Sequence, residues 1–309
     1  MNKKNVLNVK NLNKTYQKKG SNPVTAIENL NLSVQQGEIF GLLGPNGAGK
    51  TTFINILSGS VMKTSGFVEV WGFNLDKNPR QVRASIGIVA QDVNLDPFFT
   101  PESLLDLQAG LYGIKKKDRI TSKILNLVSL EKQAKSYARS LSGGMKRRLM
   151  VAKSLVHQPP IIILDEPTAG VDVELRQNLW KNVKTLNQEG VTIILTTHYL
   201  EEAEKMCDRI GILNKGNLVA LDTTQKLLEK IQIKKISIKV NNRVNINENK
   251  FKTLKIVSST NDEINLSYDK NELKIDQIIK LIEENGARIL DLSTDDGDLE
   301  DVFLSLTKS

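Results

Sequence analysis

The chain has 309 residues, 39% of them hydrophobic and 25% charged, which is enough for one large domain with its own core and a smaller one beside it. Its single cysteine, Cys207, excludes an internal disulfide and points to a reducing compartment. No apolar run approaches the ~20 residues that a membrane-spanning helix requires, and the +8 formal charge is spread along the chain with no sustained basic arm.

The N-terminus, MNKKNVLNVKNL, is basic but has no unbroken apolar stretch, so no export signal is expected. Residues 6–12, 24–34 and 66–71 alternate apolar and polar side chains between Gly, Asn and Pro, which predicts an antiparallel sheet near the start. Four compact, largely apolar segments follow: Glu38 to Leu43, Ile86 to Ala90, Ile161 to Leu164 and Val191 to Thr196. Separated by helical stretches, they carry the pattern of a buried parallel sheet in an α/β domain. Between the second and third of them the pattern is mainly helical, which defines a helical subdomain over about 92–156. From Lys230 onward ISIKV, INLSY and RILDL alternate like short strands around a helix from about Glu272 to Glu284, and LEDVFLSLT predicts a closing helix. A principal domain over 1–229 and a small α+β domain over 230–309 follow from this reading.

The chemistry is concentrated where the apolar strands end. Gly44-Pro45-Asn46-Gly47-Ala48-Gly49-Lys50-Thr51, followed by Thr52, fits G-x-x-x-x-G-K-[ST] between a strand and a helix that stops at Gly59. Glycines there let backbone N–H groups face phosphates. Lys50 can reach the β- and γ-phosphates, and Thr51 can ligate Mg²⁺. Asp165 and Glu166 emerge from Ile161–Leu164, where the first carboxylate suits Mg²⁺ and the second can orient and deprotonate a water. Gln91 and His198 each fall just past an apolar strand, so all four strand ends aim polar groups at one edge; His198 can bond a γ-phosphate or position Glu166. His157, ahead of Pro159-Pro160, reads as a structural histidine.

Ser142-Gly143-Gly144-Met145 opens a second helix in which Met145, Leu149, Ala152 and Val156 keep helical spacing. Ser142 reads either as an ordinary N-cap or, with Lys146, Arg147 and Arg148 nearby, as part of a second anion site. The acidic run Glu201, Glu202 and Glu204 reads as a solvated helix face.

The ordered set Tyr16, GPNGAGKTT, Gln91, LSGGM, IIILDEPTAGVD and His198 resembles the nucleotide-binding subunit of ATP-binding cassette (ABC) transporters. KRRLMVAKSL, EPTAGVD, TTHYLEEAE and LEDVFLSL resemble its ABC-2-type, drug-export branch. The resemblance implies a P-loop NTPase fold: a RecA-like parallel core with an antiparallel β subdomain and a helical subdomain, extended by the C-terminal α+β domain. It implies ATP and Mg²⁺ as ligands, and a head-to-tail dimer, with itself or with a related cassette, in which Ser142, Gly143 and Gly144 of one subunit face ATP held by Lys50 of the other. Tyr16 would stack on adenine, Asp165 would serve Mg²⁺ and Glu166 would be the general base. Gln91 would sense the γ-phosphate beside the membrane subunit and the metal, and Asp172 would lie at the dimer seam. An ABC-2-type permease is then the implied partner, with the chain held peripherally on the cytoplasmic face of the cell membrane. A nucleic-acid clamp built on the same cassette would carry a coiled-coil insertion or a second cassette, and the sequence has neither; no nucleic acid is expected. Met145 stands where the family's commonest form has Gln, which leaves the Ser-Gly-Gly element intact.

Overall fold

Alternating apolar residues carry the first two segments into antiparallel strands, β1 (Asn5–Tyr16) and β2 (Val24–Gln35). They belong to a computed structural model that describes residues 4–17, 20, 22–92, 94–169, 173–244, 253–295 and 297–307. Each strand carries an irregularity at an asparagine with positive φ, Asn11 (47°) and Asn29 (46°). The bulges are bound reciprocally: Asn13 Oδ1 accepts from Asn29 N and Asn31 Oδ1 accepts from Asn11 N, both at 2.9 Å. Asparagine tolerates this backbone and satisfies the amides that a bulge leaves unpaired.

The fully buried β3 (Ile39–Leu43) runs into a loop and α1 (Lys50–Ser58), which Gly59 ends in the left-handed conformation. β4 (Ser65–Val70) and β5 (Phe73–Asn74) complete the first sheet, in the order β2-β1-β4-β5. After α2 (Pro79–Ala84) and β6 (Ile86–Val89) comes the helical region, α3 (Pro101–Leu111), α4 (Thr121–Leu127) and α5 (Gly143–Leu155). These three helices pack on one another through Leu104, Leu105, Ile124, Leu125 and Leu149, all buried. The central elements resume with β7 (Ile161–Asp165), α6 (Val173–Gln188), β8 (Thr192–Thr197), α7 (Leu200–Met206), β9 (Arg209–Asn214) and β10 (Asn217–Thr223).

The second sheet has the order β10-β9-β3-β8-β7-β6, and β9-β3-β8-β7-β6 pair in parallel. Its residues face both ways into apolar surroundings, as a helix-covered parallel sheet requires. One hydrophobic cluster joins it to the antiparallel sheet and α1 through Val9, Ile27, Phe40, Phe53, Val68 and Ile163. The buried Cys207 fits against Gly41 of β3, where an added Cβ would sit 2.9 Å from its sulfur.

The predicted strands are present, and β5, β9, β10 and a strand over Lys255–Ser259 are added to them. The short apolar run of β9 is interrupted by Gly211, which packs under Phe40 and Leu218 and weakens the strand pattern in sequence.

By contacts the chain divides into two units, Met1–Asp222 and Thr223–Ser309. The division precedes the compositional change at Lys230 because α8 (Thr224–Glu229) packs with α10 (Leu299–Thr307) in the second unit. That unit also holds β11 (Ile233–Val240), β12 (Lys255–Ser259), β13 (Glu263–Asp269), α9 (Ile275–Glu284) and β14 (Ile289–Asp295). Its antiparallel sheet, β12-β13-β11-β14, presents Ile236, Ile238, Ile264 and Leu266 to Ile278, Leu281 and Ile282 in a core of its own.

The approach of α5 to β6 is close enough to dictate a residue. A Cβ on Gly87 would collide with the carbonyl oxygen of Ser154 and lie 2.9 Å from Pro159 Cγ. Gly87→Ala is therefore expected to cost about 1–3 kcal/mol, the usual penalty of overpacking, read as a lowered urea midpoint.

Candidate functional site

The loop 44–49 is shaped by contacts that leave no room for a side chain at Gly44 or Gly49. A Cβ on Gly44 would lie 2.5 Å from Leu213 O, and one on Gly49 would lie 2.5 Å from Ala26 O. Gly49, at φ 108°, is also the N-cap of α1, in a conformation open to glycine and costly to other residues. The N–H groups of the first turn of α1 have no partner within the helix and make its N-terminus electropositive. They open onto a cleft of about 750 Å³ lined by Asn46 to Thr52 together with Gln91, Glu166, His198 and Ala26.

Lys50 is 6% exposed. Its Nζ donates to Gly44 O at 2.6 Å and Pro45 O at 3.2 Å, so the loop's own carbonyls hold the ammonium. Burial pushes its pKa down, while the Glu166 and Asp165 carboxylates pull it back up. Asp165, at the end of β7, accepts from Thr196 Oγ1 of the neighbouring β8. Burial is the larger effect on its carboxyl and raises the pKa, with Thr196 opposing.

Glu166 is held from three sides. Its Oε2 accepts from Gln91 Nε2 at 3.1 Å and lies 3.2 Å from His198 Nδ1. Its N–H donates to Thr196 O at 3.0 Å. Its backbone sits at φ 46°, a left-handed conformation that a non-glycine side chain holds only when its surroundings over-determine it. The three polar groups past β6, β7 and β8 thus meet at one carboxylate, as the sequence expects of strand ends on one edge. The arrangement can position a water beside a basic oxygen and a terminal phosphate beside Lys50.

The remaining expected residues lie elsewhere. Tyr16, paired with Val24 at the exposed end of β1, does not line the cleft; the Lys14 ammonium sits 4.5 Å from its ring centroid. Ser142 caps α5 by accepting from Met145 N at 3.3 Å. It is exposed with Gly143, and both are outside the cleft of their own chain. A Cβ built on Gly143 meets nothing within 4 Å, so nothing in the chain itself requires glycine there. Asp172 lies outside the described residues.

Two sequence readings need correction. Arg147 and Arg148 do not serve an anion site: Arg147 is 5% exposed with its guanidinium spent on backbone carbonyls, and Arg148 Nη1 donates to Val128 O and Ser129 O. Nor is Glu202 part of a solvated face, for it is 8% exposed, whereas Glu201 beside it pairs with Lys205 in solvent. Glu202 Oε2 accepts from Thr168 Oγ1 at 2.7 Å, and Oε1 pairs with Arg176 Nε at 3.2 Å. The Arg176 guanidinium lies 4.9 Å from the Tyr199 ring, and that ring lies 4.2 Å from His198. A chain of contacts therefore runs from Glu202 to His198. The first helical turn hides this in sequence, because Glu201 and Glu202 differ only in which face of α7 they occupy.

A family model described as ABC transporter matches residues 27–169. The chain is 33% identical over 315 residues to the linearmycin resistance ATP-binding protein LnrL of Bacillus subtilis (strain 168), a likeness covering 98% of each chain. It is 37% identical over 226 residues to the Nod factor export ATP-binding protein I of Ralstonia nicotianae, covering 72% of this chain and 68% of that one. Among solved structures, an ATP-binding subunit of an ABC transporter superposes with a TM-score of 0.65 at 29% identity, over 73% of this chain and 92% of that chain. A dimeric post-hydrolysis ATP-binding cassette bound to ADP and Pi superposes with a TM-score of 0.63 at 28% identity, over 71% and 98%.

Removing Glu202 would strand the Thr168 hydroxyl and the Arg176 charge. Glu202→Ala is expected to lower stability by about 1–3 kcal/mol, and a double-mutant cycle with Arg176→Ala in urea should return a non-zero coupling.

Proposed function

This chain belongs to the ABC transporter ATP-binding family, and from that premise we propose that it energises a separate ABC-2-type exporter permease by closing on ATP as a two-copy sandwich. It is an ATPase, and the geometry of the site supports the following roles. The loop 44–49 and the α1 N-terminus bind the phosphates and Lys50 grips the terminal ones, exchanging its two carbonyl partners for phosphate oxygens. Glu166 takes the proton of the attacking water. Gln91 and His198, both on Glu166 Oε2, orient that carboxylate and hold the water and γ-phosphate in line.

Mg²⁺ fits this site. Its donor groups, the Thr51 hydroxyl, the Gln91 amide oxygen and the Asp165 carboxylate, are hard oxygen ligands. When bound, the ion would neutralise phosphate charge and favour the ionised Asp165 carboxylate against the burial that raises its pKa.

The observation that carries the two-copy reading is the exposed tip of α5. Ser142 and Gly143 have no partner in their own cleft, and the open space around Gly143 suits close approach of a nucleotide held by another subunit. Tyr16 is proposed to meet the adenine and Asp172 the seam between subunits. No helix among the described residues is long and apolar enough to cross a membrane, and the membrane path is proposed to belong to a partner. Support for its docking place comes from Phe98, Leu107 and Leu111, which are exposed at and beyond the segment that follows Gln91. Export is supported by the relatives' names, one a resistance protein and one an export protein, and the ABC-2 type by the segments KRRLMVAKSL, EPTAGVD, TTHYLEEAE and LEDVFLSL.

Glu166→Gln is expected to slow ATP turnover about 10²–10⁴-fold with nucleotide affinity retained; hydrolysis at the normal rate would remove Glu166 as the base. Lys50→Ala should instead weaken ATP binding itself, seen by nucleotide titration. Isolation from native membranes in mild detergent should retain a polytopic protein, and recovery of the cassette free of any such protein would count against the transport reading.

A further inference from the structure

Arg147 departs from the usual economy of a protein interior. It projects from the first turns of α5, is almost fully buried, and makes no ion pair among the described residues. Burying a guanidinium costs several kcal/mol unless its donors are met. Here all are met by main-chain oxygen. Nε donates to Pro167 O at 3.0 Å, Nη1 to Ala90 O at 2.8 Å and Gln91 O at 2.7 Å, and Nη2 to Asp165 O at 3.3 Å and Glu166 O at 2.8 Å. Burial lowers its pKa, and the Asp165 and Asp92 charges oppose that shift.

The acceptors belong to two segments that share no strand: the end of β6, with Gln91, and the end of β7, with Asp165, Glu166 and Pro167. A planar fork satisfies both only when they stand at one spacing. Glu166 is the residue whose left-handed backbone needs external support, and Arg147 supplies it at the Glu166 carbonyl. The same helix carries Ser142, Gly143 and Gly144 at its tip.

We propose that Arg147 is a positioning residue that links the two ATP sites of the dimer. When the tip of α5 seats on nucleotide held by the partner, the helix carries the guanidinium with it. The guanidinium in turn sets the backbone that presents Gln91 and Glu166 to the subunit's own ATP. Each site's chemistry then depends on occupancy of the other. The link between sites rests on the two-copy reading above; the setting of Gln91 and Glu166 does not.

Steady-state ATPase assays on the full-length wild type, Arg147→Lys and Arg147→Met test this, with ATP-binding stoichiometry used to count folded sites. For Arg147→Met the expected result is a kcat per site lower by about 10–100-fold, the scale of a misplaced catalytic group, with ATP affinity changed less than about threefold. The Hill coefficient should fall from near 2 toward 1. Arg147→Lys should recover part of kcat, since an ammonium has three donors for five carbonyls. A purely structural role would lower the yield of folded sites and leave kcat per site and the Hill coefficient at wild-type values, which would overturn the proposal. If Arg147→Met fails to fold, wild-type kcat and Hill coefficient in Arg147→Lys would overturn it as well. A wild-type Hill coefficient near 1, with no ATP-dependent dimer, would count against the two-copy reading, and the kcat comparison would still decide the positioning role.

Discussion

The structure depends on one constraint of parallel sheets: strands that run the same way deliver their ends to the same edge. Because β6, β7, β8 and β3 are adjacent, the residues immediately past them are neighbours whatever their distance in sequence. Gln91, Asp165, Glu166, His198 and the loop from Gly44 each occupy such a place. The site lies in the crevice outside the carboxyl ends of the strands, where open α/β sheets bind their ligands. The antiparallel sheet, by contrast, contributes buttressing, and Ala26 is its one wall residue in the cleft.

Charge is the second organising element. Lys50, Arg147, Asp165 and Glu166 are all buried to within a tenth of full exclusion, two cations against two carboxylates. None is matched by a simple contact pair. Lys50 and Arg147 spend their donors on carbonyl oxygens, Asp165 takes a hydroxyl, and Glu166 takes an amide and an imidazole. Such a set is stable as a whole and intolerant of losing a member, since each charge screens the others in a poorly solvated space. The arrival of a polyanionic nucleotide would rebalance it.

Much of this was legible in sequence because it depends on local pattern. The apolar runs specify the parallel strands, and a glycine-rich loop between a strand and a helix is recognisable by spacing. The positions of Gln91 and His198 relative to their strands placed them at the same edge. What was not legible depends on which way a side chain turns. Arg147 and Arg148 are adjacent and identical, yet one is a buried hub and the other braces the carbonyls of Val128 and Ser129. Glu201 and Glu202 differ in the same way. The register irregularities at Asn11 and Asn29 were likewise out of reach, since a bulge is fixed by the partner strand. The strand β9 was hidden by Gly211, which lies closely against Phe40 on the strand beside it.

The placement of Cys207 has a practical consequence. Its thiol is almost wholly enclosed, burial drives its pKa far above the ordinary range, and Gly41 presses against it. Thiolate is the reactive species in alkylation and oxidation, so the native chain is close to inert toward maleimides and mild oxidants. A cysteine introduced at an exposed position would carry a fluorophore or spin label almost alone. Distances within the working protein are therefore open to spectroscopy without first removing a native residue from its core.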